Sequence, residues 1–509
     1  MSHLVVLPIL LPALVAPFML MVLRYHINLQ RVFSLASMLA MTGLACVMMA
    51  QASSGEIAVY ELGDWPAPFG IVLVLDRLAA LMVVLTTVLA LVVLLYAIWS
   101  GWDERGQHFH PLFQFQLMGI LGAFLTGDAF NLFVFFEVLL IASYGLMIHG
   151  GGTQRLRAGV QYVVYNLLGS TLFLFALGVL YGVTGTLNMA DLAVRVAELP
   201  PEETALIRVG AVLLLLVFAI KAAVLPLHFW LPNSYALAPA PVAALFAIMT
   251  KVGAYAIIRM YTLVFPPELE LSQGLIGAWL LPAALLTLAV GSIGILGARQ
   301  IGRLVAFAAI ASMGTLLVAI ALFEEQATSA ALYYIVHSTL ATAMMFLVAD
   351  LITERRGDAI AVAQPMAQNG LIAALFFGAA IAMAGMPPLS GFLGKLLVLD
   401  AARGASNAAL IWSVILLTSL LIILGLARAG SLVFWKAYQA GPDGPGDAEE
   451  NDDAVTAPLL PVVAVFGMFA MLIALTLFAG PMMDYAMATS KQLFTPSDYI
   501  DAVLKRNGS

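Results

Sequence analysis

The stretch Lys221-Ala-Ala-Val-Leu-Pro-Leu-His-Phe-Trp-Leu-Pro232 passes through Asn233 and Ser234 into Ala238-Pro239-Ala240-Pro241-Val242 and an apolar run that carries Lys251. An ammonium group at the centre of a hydrocarbon-spanning helix costs about 3 kcal/mol on insertion scales, so a lysine kept there points to an ion or proton path. Pro226 and Pro232 lack backbone donors and interrupt the first helix just after Lys221. The interruption frees carbonyls beside the charge, and discontinuous helices of this kind sit at the transport sites of many carriers.

Working outward, the chain has 509 residues, of which 62% are hydrophobic and only 10% charged, with a mean hydropathy of +1.01. Such a composition excludes an ordinary soluble globular domain. Runs of roughly twenty apolar residues recur, and about fourteen are long enough to cross a bilayer. They are expected near 4–23, 32–50, 71–99, 112–127, 129–148, 162–184 and 207–230. The series continues near 237–262, 274–297, 302–322, 328–352, 370–402 (broken), 408–435 and 457–482. Arg24 and Arg31 follow the first run instead of preceding it, so it reads as a retained span with its N-terminus outside. Arg105, Arg155, Arg157, Arg299, Arg303, Arg355, Arg356 and Lys436 fall in loops on the same side as that pair, cytoplasmic by the positive-inside rule. Both termini then come out external.

The net charge of −7 owes most to Asp443–Asp453 and suggests no nucleic acid partner. That segment, rich in Gly, Pro and acids, reads as a mobile cytoplasmic loop over 439–456, ahead of a last span at 457–482. The single cysteine, Cys46, cannot form an internal disulfide. Neither a glycine-rich phosphate loop nor a cysteine or metal-ligand cluster stands out, and no nucleophile lies on an elbow motif. The expectation is no cofactor, no metal and no catalytic residue. The expected fold is an all-α polytopic membrane protein in a single integral membrane domain, 1–509.

A second interruption, Gly385-Met-Pro-Pro-Leu-Ser-Gly391, is again close to a lysine, Lys395. Paired interrupted helices point to inverted repeats, with Pro226 and Pro388 marking the two breaks. Glu137 lies about 12 Å into its helix among phenylalanines, where a carboxyl needs either its proton or a nearby cation. Lys221 is the natural partner; the competing reading is a static ion pair. Lys251, mid-span with no acid beside it in sequence, reads as a proton-exchanging group, against the alternative of a lysine snorkelling to the interface. Lys395 either takes a similar part or places its charge at a half-helix end. His228, beside the first break, reads as a relay or water anchor. His337 is evenly balanced between a relay and a hydrogen-bonded core histidine, with Ser338, Thr339 and Thr342 positioned to order water along its helix. Asp128 is expected to cap a helix, and Arg77 and Arg259 to anchor span ends at the interface.

Asp128–Glu137 with the following Val-Leu-Leu-Ile-Ala-Ser-Tyr, the Lys221–Pro232 run, Lys251 with Gly253, and Gly385–Lys395 resemble the proton-conducting membrane subunits shared by respiratory complex I and Mrp-type cation/proton antiporters. The resemblance covers roughly the second to the thirteenth span. It implies fourteen spans with two inverted five-helix units, each holding a broken helix, over 111–262 and 274–435. It also implies roles: Glu137 and Lys221 as a coupled input pair, Lys251 as central relay, His337 as bridge and Lys395 as terminal site. Complex I relatives often place a lysine four residues after that histidine; here the position is Ala341. The run from Ile335 to Asp350 and the opening Leu7-Pro-Ile-Leu-Leu-Pro12 are similar to the D-type subunit of Mrp antiporters. That similarity implies a bacterial inner-membrane complex exchanging protons for Na⁺, K⁺ or Li⁺, with A, B, C, E, F and G type subunits as partners. The alternatives are a pumping subunit of a quinone oxidoreductase or membrane-bound hydrogenase, and a scaffold that keeps only the fold.

Overall fold

The computed structural model describes residues 2–200, 204–269, 272, 274–439 and 458–505. Helices α1 (Leu7–Met21) and α2 (Ile27–Ala52) lead through strands β1 (Ala58–Glu61) and β2 (Val72–Leu75) to α3 (Arg77–Trp99). Then come α4 (Phe109–Leu125), α5 (Ala129–Met147), α6 (Thr153–Thr184), α7 (Met189–Glu198), α8 (Thr204–Lys221), α9 (Trp230–Leu237) and α10 (Ala240–Leu263). The second half runs α11 (Leu281–Gly297), α12 (Ile301–Leu322), α13 (Glu325–Arg356), α14 (Asn369–Ala384), α15 (Ser390–Ala401) and α16 (Ala408–Gly430). Helices α17 (Leu460–Leu477), α18 (Ala479–Leu493) and α19 (Pro496–Leu504) follow. Among the described residues eleven helices are long and apolar enough to cross a membrane, and α1, α4 and α14 are shorter apolar helices. The protein is a multi-pass membrane protein.

Two helices form the centre. Every residue of α10 from Pro241 to Leu263 is buried, and α13 is buried over nearly all its length. A helix apolar on all sides needs neighbours on all sides: α10 packs on α3, α8, α12 and α13, and α13 on α10, α12, α14, α15, α17 and α18. Around this pair, two helix hairpins are built alike. On α4, Gly119 meets the backbone of Leu139 and Gly122 the ring of Phe135 on α5. On α11, Gly291 meets the backbone of Ala311 and Gly294 the ring of Phe307 on α12. In both pairs a side chain at the glycine would hold the helices apart.

The structure corrects several expectations. The fold is helical as expected, but the third span starts later than expected: Val72–Leu75 forms a short strand that pairs antiparallel with Ala58–Glu61, Ala58 opposite Leu75. A four-residue apolar run is ambiguous between strand and helix when read alone. The amphipathic helix α7 was not anticipated; Asn188 caps it by accepting from Ala190 N and Asp191 N. The last expected span stops at Leu477 and gives way to α18 and α19. Asp128 caps α5 as expected, accepting from Asn131 N at 2.8 Å. The segment 440–457, which contains nearly all of the expected acidic loop, lies outside the described residues.

Arg259 is not an interfacial anchor. It is buried on α10, and its Nη1 and Nη2 donate to Asp76 Oδ2 at 2.6 Å and Oδ1 at 2.8 Å. Asp76 also caps α3, accepting from Ala79 N, while the rings of Tyr255 and Tyr499 lie 5.5 and 5.2 Å from the guanidinium. The pair joins α3, α10 and α19. Outside the spans, the Asp103 carboxylate accepts from Arg31 on α2 at 2.7 and 3.0 Å and contacts His110 Nε2 at 3.1 Å. Burial works against its charge, but these bonds prevail and hold the carboxyl below its usual range.

Asp76→Ala leaves a buried guanidinium without its counter-ion and is expected to cost about 3–5 kcal/mol. Thermal unfolding in detergent should show that loss, and Asp76→Leu combined with Arg259→Met should recover much of it. Asp103, with its lowered pKa, stabilises the fold above the ordinary carboxylate range. That contribution is expected to vanish as pH falls below the range, while Asp103→Asn flattens the acid limb of a pH–stability profile.

Candidate functional site

The buried ionisable groups lie where the helices are interrupted or most enclosed. Helix α8 ends at Lys221, and the chain turns through Ala222–Leu225 before α9. The carbonyl of Ile220 accepts from Ala223 N at 3.1 Å and from Trp230 Nε1 at 3.0 Å, and Leu225 N donates to Thr287 Oγ1 on α11 at 2.8 Å. Lys221 Nζ donates to Asn166 Oδ1 at 3.3 Å and Asn166 O at 3.4 Å on α6 and sits 5.9 Å from the Phe136 ring centre. Glu137, one residue on from Phe136, acts on Lys221 through space, but no ion pair within 4 Å joins them. Its Oε1 is buried and unpartnered among the described residues. The residue is half-buried, on a stripe of α5 that exposes Phe130, Val134 and Ile141.

Lys251 lies on the most enclosed helix, 0% exposed, and its Nζ has no hydrogen-bond partner among the described residues. Two residues on along the same helix, Gly253 sits against the break: a Cβ there would lie 2.8 Å from Ala222 N and 2.9 Å from Phe218 O. The lysine's helix therefore runs backbone to backbone along the end of α8.

The second break repeats the chemistry with the lysine on the far side. Lys395, on α15, donates from Nζ to Ala384 O at 2.7 Å and Ser419 Oγ on α16 at 2.9 Å. Ala384 O is free because the residue four positions on is Pro388, which has no N–H to offer it. His337 Nδ1 meets Ser390 Oγ at 2.9 Å, at the first turn of α15, and both Lys251 and Lys395 act on the imidazole through space. Gly391 permits this approach: a Cβ there would stand 2.9 Å from His337 Nε2 and would collide with Ala382 O. A narrow cleft beside Lys395 is lined by Ser312, Thr315 and Tyr334.

Other residues expected to take part are placed less centrally. Ser338 and Thr339 donate their hydroxyls to Ile335 O on their own helix, at 3.3 and 2.7 Å, and Thr342 faces Met383 Sδ at 4.0 Å. His228 is buried with Nδ1 unpartnered among the described residues, its ring 4.6 Å from that of Phe229. Pro226 lies in the turn between α8 and α9. Asn166 and Ser419, which hold two of the lysines, did not stand out in the sequence. Asn166 had a signal, an amide in the middle of an apolar run; Ser419 had none beyond an ordinary helical serine.

A family described as NADH:quinone oxidoreductase/Mrp antiporter, TM, matches residues 126–422, which hold Glu137, Lys221, Lys251, His337, Lys395 and both breaks. The chain belongs to this family. Over 99% of its length it is 39% identical to a relative named as the probable K(+)/H(+) antiporter D-type subunit of Rhizobium meliloti (strain 1021), of which it covers 98%. It is 38% identical to the Na(+)/H(+) antiporter D-type subunit of Alkalihalophilus pseudofirmus, over 99% of this chain and 100% of that one. A chain in the structure of the Mrp complex from Dietzia sp. DQ12-45-1b superposes with a TM-score of 0.87 at 28% identity, over 99% of this chain and 100% of that one.

Gly391→Ala must push α15 away from α14 and His337, and is expected to cost about 1–3 kcal/mol as an overpacked helix contact. Gly178→Ala, with nothing within 4 Å of its Cβ, is the control. Thermal unfolding in detergent should show a lowered midpoint for the first and none for the second.

Proposed function

We propose that this chain is the proton-translocating subunit of a hetero-oligomeric monovalent cation/proton antiporter. The observation that carries the reading is Lys251: a completely enclosed amine, unpartnered among the described residues, on a central helix that packs at Gly253 against the end of α8 at Lys221, and acting with Lys395 on His337 through space. A purely structural role gives no reason to keep it, since an uncompensated ammonium is among the costliest groups to bury. The relatives named as antiporter subunits support the exchange of protons for Na⁺ or K⁺, and Li⁺ is the third monovalent cation to be tried.

On this reading Glu137 and Lys221 load the path, Lys251 and His337 relay, and Lys395 ends it. His228, Ser338, Thr339 and Thr342 contact water along the way, and Pro226 and Pro388 keep the two helices broken. The eleven long helices among the described residues, taken with the three shorter apolar ones, support a count of fourteen spans. The like-built pairs α4–α5 and α11–α12 support two inverted units, 111–262 and 274–435, in one membrane domain. The arginine-rich loops face the cytoplasm of a bacterial inner membrane, with both termini external. The stripe Phe130, Val134, Glu137 and Ile141 suits cover by a neighbouring subunit of the A, B, C, E, F or G type, because lipid cannot partner a carboxyl. The energy scale is adequate: one charge moved across 100 mV is worth about 2.3 kcal/mol.

In everted membrane vesicles holding the full set of subunits, adding Na⁺, K⁺ or Li⁺ should dissipate a proton gradient. Lys251→Ala, Glu137→Ala and Lys221→Ala should each abolish that response with the complex still assembled. Normal exchange by Lys251→Ala overturns the reading. A gradient that forms only with a reductant such as NADH, and depends on Lys251, assigns the chain to a redox-driven pump instead.

A further inference from the structure

A cavity of about 480 Å³ opens on the arginine-rich side, between the N-terminal end of α10 and the C-terminal end of α13. Arg105, Arg155, Arg303, Glu354 and Asp358 stand among its lining residues, with Tyr235, Ala243, Phe346 and Asp350 also in its wall. Asp350 is 6% exposed, and both hydrogen bonds it accepts go to Oδ2, from Tyr96 OH at 2.7 Å and Trp102 Nε1 at 2.9 Å. Among the described residues no cation pairs with it within 4 Å. The Arg105 guanidinium, which acts on it through space, is held by Glu354 at 2.8 Å and stacks 3.9 Å from the Trp102 ring centre. A carboxylate held only by neutral donors, with its second oxygen left for a water-sized space, is a group able to take up and release a proton.

We propose that this cavity is the cytoplasmic mouth of the proton path and that Asp350 exchanges protons between its water and Lys251. The inference rests on the antiporter reading above and adds to it a cytoplasmic opening at the central relay, Lys251, beside the route that continues through His337 to Lys395. Ala243, in the cavity wall, is eight residues before Lys251, about 12 Å along α10, a gap that about four waters at hydrogen-bond spacing span. By contrast Asp350 is thirteen residues from His337 on α13, about 20 Å. Tyr235 and Phe346, in the cavity wall, cluster with Phe246, five residues before Lys251 on α10, with Tyr235 centred 5.4 Å from Phe246 and 6.1 Å from Phe346. The Tyr235 hydroxyl is spent on Phe246 O at 3.0 Å, and the proposed water file from the cavity to Lys251 runs past these rings. The transfer balances: the Lys251 ammonium releases a proton to the water file and becomes an amine, Asp350 becomes a carboxylic acid, and it returns the proton to cavity water. The charged groups around Asp350 are Arg105, Arg155, Glu354 and Arg355.

Asp350 also joins α13 to α3 and the turn after it, so the test must separate a clasp from a carrier. Asp350→Asn keeps an acceptor oxygen for Tyr96 and Trp102 but cannot carry the proton; Asp350→Glu keeps the carboxyl. In everted vesicles with the full complex, Asp350→Asn is expected to slow cation-dependent exchange by about 100-fold and Asp350→Glu to stay within about threefold of wild type. Independently, Ala349→Cys in a Cys46→Ser background is expected to react with a membrane-impermeant methanethiosulfonate in everted but not right-side-out vesicles. Its modification should block exchange. Wild-type exchange by Asp350→Asn, or labelling only in right-side-out vesicles, overturns the mouth while leaving the antiporter reading intact. If Asp350→Asn lowers the amount of complex, the labelling decides alone. No cation response from the wild-type complex overturns the antiporter reading and the mouth together.

Discussion

An ammonium group enclosed by hydrocarbon has to find acceptors inside the protein, and an intact helix has none to offer because its carbonyls are spent on its own ladder. The two breaks answer that constraint. Pro388 withholds the N–H that Ala384 O would otherwise accept, and Lys395 Nζ takes the place at 2.7 Å. At the first break the lysine ends its half-helix and turns instead to Asn166 on α6. Lys251 has neither device, and its helix is unbroken and wholly buried. The three lysines thus carry graded degrees of compensation.

Enclosure of that kind depends on helices meeting at backbone distance. Gly253 lets α10 lie along the end of α8, and Gly391 lets α15 reach His337 and α14. The glycines of α4 and α11 bring each into contact with α5 and α12 in the same manner. Helix association in a bilayer draws little from hydrophobic burial and much from close packing. The small residues that position the ionisable groups therefore also hold the fold together. Asp76 and Arg259 are compensated differently: they meet in a two-bond fork closed over by Tyr255 and Tyr499.

Much of this was legible in the chain. The composition and the length of the apolar runs required a polytopic helical protein, and the prolines beside Lys221 and Lys395 marked both breaks, because proline acts locally whatever surrounds it. The buried lysines and Glu137 stood out because a charge in an apolar run has so few ordinary explanations. Less was legible where a local pattern admits two outcomes. Val72–Leu75 looked like the start of a span and is a strand, since its partner Ala58–Glu61 lies across an intervening loop. Arg259 looked like an interfacial anchor because its counter-ion, Asp76, is on another helix far back in the chain.

The sequence by itself determined that the chain lives in a membrane, which helices break, and which few ionisable side chains the bilayer must tolerate. These follow from the cost of placing polar groups in hydrocarbon, a cost each residue carries wherever it goes. Tertiary structure alone decided who compensates whom. Among the described residues it set Asn166 and Ser419 as partners of Lys221 and Lys395, left Glu137 without an ion pair, left Lys251 with no partner, and opened a cavity at Asp350. Those outcomes depend on distances between helices remote in sequence, and such distances are fixed only when the small residues on facing helices have met.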